Sequence, residues 1–173
     1  MKKFILFFSL LLMFAHFSFA QDDLDDFSIG KSSSSDRLIH IAYSPSTSAI
    51  FGLHAGWMGN NGGVLKGGNF VGALGPYISG RYNSRDIMNM DRWSAILGGT
   101  LQLVEFAHVY VGAGYGDYKY PYHEPTIIPD LEFSGVEIES GVIVKLGSFI
   151  IHAGVSDLDF QQLDFVGGIG YTF

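Results

Sequence analysis

The segment DFVGGIGYTF (164–173) sorts its side chains by parity. Phe165, Ile169, Tyr171 and Phe173 fall on one side of an extended strand, with Gly167 between them. Val166, Gly168, Gly170 and Thr172 fall on the other. Successive strand residues point to opposite faces, so one face is oily and aromatic and the other mostly small. Chain termini are ordinarily frayed and polar. This one is apolar to its last residue, as expected of a strand that closes a barrel against lipid.

The same alternation recurs upstream. It predicts strands over 37–44, 48–58, 70–83, 92–104, 106–118, 131–146, 148–157 and 163–173. No long stretch carries helical periodicity instead. Eight is the smallest even strand number that single-chain outer-membrane barrels use. Past its first twenty residues the chain holds no apolar run long enough for a helical span. Helices and closed barrels are the two structures that satisfy every backbone group in lipid. A barrel is therefore the membrane option, and an exported lipocalin-like binding barrel is the soluble one.

The first residues imply export. Lys2 and Lys3 precede a nearly continuous apolar run, Phe4 to Phe17, and Ser18-Phe19-Ala20 places small residues where a signal peptidase reads. Residues 1–20 are expected to be a signal peptide cut after Ala20. No Cys follows it, so lipid anchoring through an N-terminal Cys is excluded, as are disulfides. Residues 21–36 (QDDLDDFSIGKSSSSD) are acidic, then Ser-rich, and read as a flexible leader. Residues 37–173 are one domain in size. The whole chain has 10 basic against 17 acidic residues, a net charge of −7. Loss of Lys2 and Lys3 makes it more acidic still, which argues against a nucleic-acid partner.

Connector lengths set a direction. The chain turns within about two residues near Glu105 and near Gly147, while 83–91 (NSRDIMNMD) and 119–130 (KYPYHEPTIIPD) are longer and polar or Pro-rich. With the C-terminus in the periplasm, the tight turns are periplasmic and the two loops are outside. Arg85, Asp86, Tyr120, His123 and Glu124 are their candidate surface residues. Two connectors fit less well: 59–69 is long for a periplasmic turn, and 157–162 is short for an outer loop.

The faces separate in each strand. Trp93, Ala95, Leu97, Leu101 and Leu103 oppose Ser94, Gly98, Thr100 and Gln102, with Ile96 the exception. Val136, Ile138, Val142, Val144 and Leu146 oppose Gly135, Glu137, Glu139, Gly141 and Lys145. In a membrane barrel lipid meets the first set and the lumen the second. Trp57, Tyr77, Tyr82, Trp93, Tyr115, Tyr171 and Phe173 lie near strand ends and suit interfacial girdles. The expected lumen network is His40, His54, Arg81, Gln102, His108, Glu137, Glu139, Lys145 and His152. Eight strands leave room only for side chains to fill the interior, so these groups must pair with one another.

On these segments the chain resembles the small eight-stranded outer-membrane barrels of Gram-negative bacteria, of OmpA/OmpX-like architecture. The stretches GLHAGWMG (52–59), GPYISGRYN (75–83), VYVGAGYGDY (109–118) and VEIESGVIVKLGSFIIHAGVS (136–156) carry the likeness. The resemblance implies an all-β, antiparallel, up-and-down transmembrane barrel. It also implies that Tyr171 and the terminal Phe173 act as the insertion signal read by the barrel-assembly machinery. It implies no catalytic motif.

The residues suggest three chemistries. His40, His54, His152 and Glu139 are suitable zinc ligands, but no local ligand spacing supports a site and no metal is expected. His123 with Ser134 or Ser156 is the nearest approach to an outer-leaflet lipid-modifying enzyme, without a matching spacing. The Gly-rich stretches 59–63 and 112–116 precede no helix, so they lack the amide cradle of a phosphate loop. The expectation is a monomeric, non-enzymatic scaffold without a cofactor. Its partners are outer-membrane lipid, the assembly machinery and an unspecified surface ligand.

Overall fold

The computed structural model describes residues 37–68, 70–84, 90–120 and 131–173. The signal and leader segments lie outside them, as do Arg85, Asp86, His123 and Glu124. Eight strands follow in order: β1 (Arg37–Tyr43), β2 (Phe51–Gly59), β3 (Leu74–Asn83), β4 (Asp91–Val104), β5 (Ala107–Tyr120), β6 (Leu131–Leu146), β7 (Phe149–Leu158) and β8 (Gln162–Thr172). Each pairs antiparallel with the next, and β8 pairs back onto β1 to close an up-and-down barrel. Closure leaves no open sheet edge.

One end of the barrel, the turn end, carries the two tight turns. Gly147 adopts φ 67° between β6 and β7, a conformation that disfavours a side chain. A register shift between Gln102 and Val104 precedes the β4–β5 turn. The opposite, loop end carries the connectors 44–50, 84–90 and 121–130, and a three-residue turn at 159–161.

The closing seam is short. β1 and β8 share four paired positions, from His40 with Thr172 to Tyr43 with Ile169. Beyond Tyr43 the irregular segment 44–50 continues the wall. Ser46 bridges Val166. The Thr47 amide donates to the Phe165 carbonyl at 3.0 Å, and the Gly167 amide to Pro45 at 3.2 Å. Two boundaries differ from the alternation pattern for local reasons. Strand β2 begins at Phe51, not at 48, because Ser46 and Ala49 close a tight turn. Strand β3 begins at Leu74, because Phe70–Ala73 forms a single helical turn. Four residues are too few to tell a period of 2 from one of 3.6.

Polarity is inverted relative to a water-soluble barrel. Leu97 is 69% exposed on the outer wall, whereas Glu139 is 0% exposed inside. Among the described residues, charges on the outward face are confined to the strand ends. Arg37 is at the turn end, and Asp91, Asp117, Lys119, Glu132 and Asp157 are at the loop end. The band between them is apolar or small. Exposed aromatics edge it: Tyr82, Trp93 and Tyr115 toward the loop end, and Trp57, Tyr171 and Phe173 toward the turn end. This is the pattern expected of a strand barrel in lipid, and it is inside out for the soluble alternative.

Tyr77 departs from the expected girdle. It is 3% exposed and points into the lumen, because β3 sends Leu74, Pro76 and Ile78 outward. Its ring lies over Gly98 of β4 and Gly112 of β5, where a Cβ would collide with it. Tyr110 fills the matching space over Gly141 and Gly154. Large interior rings thus sit in sockets left by facing glycines. Gly112→Ala is expected to cost about 1–3 kcal/mol by overpacking against the Tyr77 hydroxyl and Ile96. Gly80→Ala, with no comparably close neighbour, should stay within about 0.5 kcal/mol. Denaturant midpoints of the refolded variants measure both, and equal costs would refute the socket.

Candidate functional site: the polar interior

Every strand sends an ionisable side chain inward: His40, His54, Arg81, Arg92, His108, Glu137 with Glu139, His152 and Asp164, in order from β1 to β8. None is more than 3% exposed. Strict alternation puts them there, since each shares parity with the small residues of its strand.

The charges form an alternating ladder. At the loop end Arg92 pairs with Asp164, and its Nη2 lies 2.7 Å from Glu137 Oε1. The same Glu137 oxygen lies 3.2 Å from Arg81 Nη1. Arg81 then pairs through Nη2 with Glu139. Carboxylate and guanidinium therefore alternate through five groups. Such pairing is what permits charges inside an apolar wall, where an isolated ion would be very costly.

Hydroxyls complete both ends of the ladder. Asp164 accepts hydrogen bonds from Thr47 Oγ1 at 2.6 Å and Ser46 Oγ at 3.1 Å, and also from Ser48. These three residues belong to the segment that continues the β1–β8 seam, so Asp164 fastens the seam to the ladder. Glu139 accepts from Ser79 Oγ at 3.3 Å and Tyr77 OH at 3.4 Å.

Below Glu139 the chemistry changes to rings. His54 stacks on Tyr77 with centroids 4.3 Å apart and meets Tyr110 edge-on at 5.1 Å. His54 Nδ1 and His40 Nε2 share a hydrogen bond of 2.9 Å, while His54 Nε2 stands 4.0 Å from Glu139. Nearer the turn end the interior becomes apolar, with Ala42, Met58, Ile143 and Ile150 buried together. His108 donates from Nε2 to the Gly59 carbonyl at 2.9 Å, and Gln102 Oε1 accepts from the Asn61 amide at 2.9 Å. The first bond holds the end of β2, and the second ties the start of the long connector between β2 and β3 to β4.

The structure therefore gathers Arg81, Glu137, Glu139, His54, His40 and His152 in one interior. Gln102 and His108 instead hold the start of the connector and the end of β2. Lys145 shares their face but stands at the rim, its Nζ 3.4 Å from Asn60 Oδ1, outside the ladder. Arg92 and Asp164 are ladder members outside the expected lumen network. Each lies near a strand start. Parity marks both: Arg92 with Ser94, and Asp164 with Val166 and Gly168.

The arrangement offers little reactive geometry. Among the described residues no group of three or more His, Cys, Asp or Glu is placed to hold a metal ion. His40 and His54 spend facing nitrogens on each other. Ser134 is exposed on the outer wall, while Ser156 is buried inside, so the two point to opposite faces. Tyr120 ends β5 at the loop end. Nearby, an open groove crosses the rim, lined by Tyr82, Asp91, Trp93, Asp117 and Lys119 among others.

No family model matches the chain, and no curated protein matches it. Among solved structures it is similar to Ail, the attachment invasion locus protein of Yersinia pestis, crystallised with the heparin analogue sucrose octasulfate. The identity is 18%, with 79% of this chain and 96% of that one covered and a TM-score of 0.44. It is also similar to the N-terminal β-barrel domain of Pseudomonas aeruginosa OprF, at 12% identity, with 79% and 96% covered and a TM-score of 0.49.

Proposed function

We propose that the protein is an outer-membrane barrel of non-enzymatic role. On this proposal its interior is a rigid plug, and its output is the surface displayed at the loop end, in adhesion, envelope integrity or another surface interaction. The observation that supports this most is the distribution of charge. The outer band carries none, and the interior carries an alternating ladder that crosses from wall to wall. A ladder of paired, buried groups fills a lumen and gives a solute no path, which speaks for a scaffold over a pore. The loops at about 83–91 and 119–130 are then the parts free to vary and to meet a ligand.

The partners on this reading are outer-membrane lipid around the band and the barrel-assembly machinery at Tyr171 and Phe173 during insertion. The barrel is taken as a monomer on this reading, and closure removes strand-edge pairing as a route to a second copy. Fractionation with heat-modifiable gel mobility tests the reading. The expected protein needs detergent for extraction and migrates differently before and after boiling. Recovery in the soluble fraction without detergent overturns the membrane placement. Lipid A mass spectra from cells with and without the protein test the enzymatic alternative, and identical spectra are expected.

A further inference from the structure

The inverted polarity of the wall does not stop at the strand ends. The connector between β2 and β3 continues it on the turn side. Its buried members are small: Gly63, Gly72 and Ala73. Its large apolar members are exposed: Leu65 at 53%, Phe70 at 53% and Val71 at 52%. A connector bathed in water would turn these outward only at a cost of about 1.5–3 kcal/mol each. The segment also sits against the outer rim. Arg37 projects from the outward face of β1, and its Nη2 reaches the Val71 carbonyl at 3.4 Å. Gly59, on the outward face of β2, is buried because Ala73 lies against it. The connector therefore adjoins the apolar band beside Trp57. On its other side the Asn61 amide donates to Gln102 Oε1 of β4.

Charge follows the same boundary. Arg37 and Lys66 are exposed beside the connector, with Glu105 the exposed acid of the β4–β5 turn at the same end, whereas the outward charges of the loop end are mostly acidic. An apolar set bordered by cations is the composition of an interfacial segment, with apolar groups in the acyl boundary and cations at phosphate level.

We infer that Leu65, Phe70 and Val71 insert into the leaflet on the turn side, and that Lys66 and Arg37 bind the phosphate of an anionic glycerophospholipid there. The connector then works as a second lipid contact that fixes how deep the barrel sits. The inference rests on the membrane placement proposed above, and the experiment separates the two.

The chain has no Cys, so single-Cys variants can be labelled cleanly. Phe70→Cys, Leu97→Cys and Asn60→Cys are each refolded into phosphatidylcholine vesicles, with and without phosphatidylglycerol. Each carries an environment-sensitive fluorophore. Bromine-labelled lipid should quench the Phe70→Cys label at least about half as strongly as the Leu97→Cys label, and should leave Asn60→Cys little changed. Phosphatidylglycerol should deepen the Phe70→Cys quenching, and Lys66→Gln with Arg37→Gln should abolish that increment. If iodide in the water quenches Phe70→Cys while bromolipid quenches Leu97→Cys, the anchor is wrong and the membrane placement stands. If bromolipid fails at Leu97→Cys, the membrane placement itself fails. If Phe70→Cys inserts but the charge variants keep the phosphatidylglycerol response, the phosphate contact is refuted.

Discussion

Arg81→Met is expected to lower the stability of the refolded barrel by about 3–5 kcal/mol, among the largest losses from one substitution in this chain. Arg81 is buried between Glu137 and Glu139 and pairs with both. Methionine fits the space but leaves Glu139 without its cation and Glu137 with Arg92 alone. The interior then holds three carboxylates against one guanidinium. Removing one partner of a buried pair is far more destabilising than removing both, because the survivor keeps its desolvation cost. Adding Glu139→Gln to Arg81→Met restores the native excess of one carboxylate and should recover most of the loss. Urea unfolding from phospholipid vesicles, followed by Trp57 and Trp93 fluorescence, measures both. A single-variant cost near about 0.5 kcal/mol, the level of a neutral surface change, would mean that the ladder does not hold the barrel together.

Leu97→Arg is expected to cost about 2–4 kcal/mol in the same assay, although it replaces one of the most exposed side chains in the molecule. Leu97 stands midway along β4 on the outward face, between Ile78 of β3 and Ala113 of β5. On the proposed membrane placement its exposure is to lipid, so a guanidinium there must be drawn out of water. Leu146→Arg, outward at the turn-end rim of β6, should cost only about 0–1 kcal/mol. The difference between the two positions locates the band. A soluble barrel predicts the opposite, since arginine on a water-facing wall changes stability by no more than about 0.5 kcal/mol. Equal, small costs at Leu97 and Leu146 would sink the membrane reading without reference to any fractionation result.

Strand number and the division of faces are legible in the chain because each depends on local alternation. Leu97 against Thr100 or Val142 against Glu139 needs only parity. Tyr77 lies in the lumen and not in the expected girdle, and its residue type suits both an interfacial ring and a lumen ring. What decides it is the phase of β3, which Leu74, Pro76 and Ile78 set together. The glycines opposite it, Gly98 and Gly112, lie on two other strands, and no spacing along the chain announces that they face Tyr77. Similarly, the clamp on Asp164 comes from Ser46, Thr47 and Ser48, well over a hundred positions away. The Phe70–Ala73 helical turn is not legible in the alternation because so short a segment carries no period.

By itself, the sequence determined that this chain alternates, that its alternation suits eight strands, and which residues share a face. Those are properties of a backbone with a period of two, and they need no knowledge of register. Tertiary structure alone decided which face is outside and which side chains meet. Closure brings β8 against β1 and turns the charged parity inward from every strand at once. That places Asp164, Arg92, Glu137, Arg81 and Glu139 in one line. Their order depends on strand tilt and stagger around a closed barrel, a global quantity that no local segment encodes.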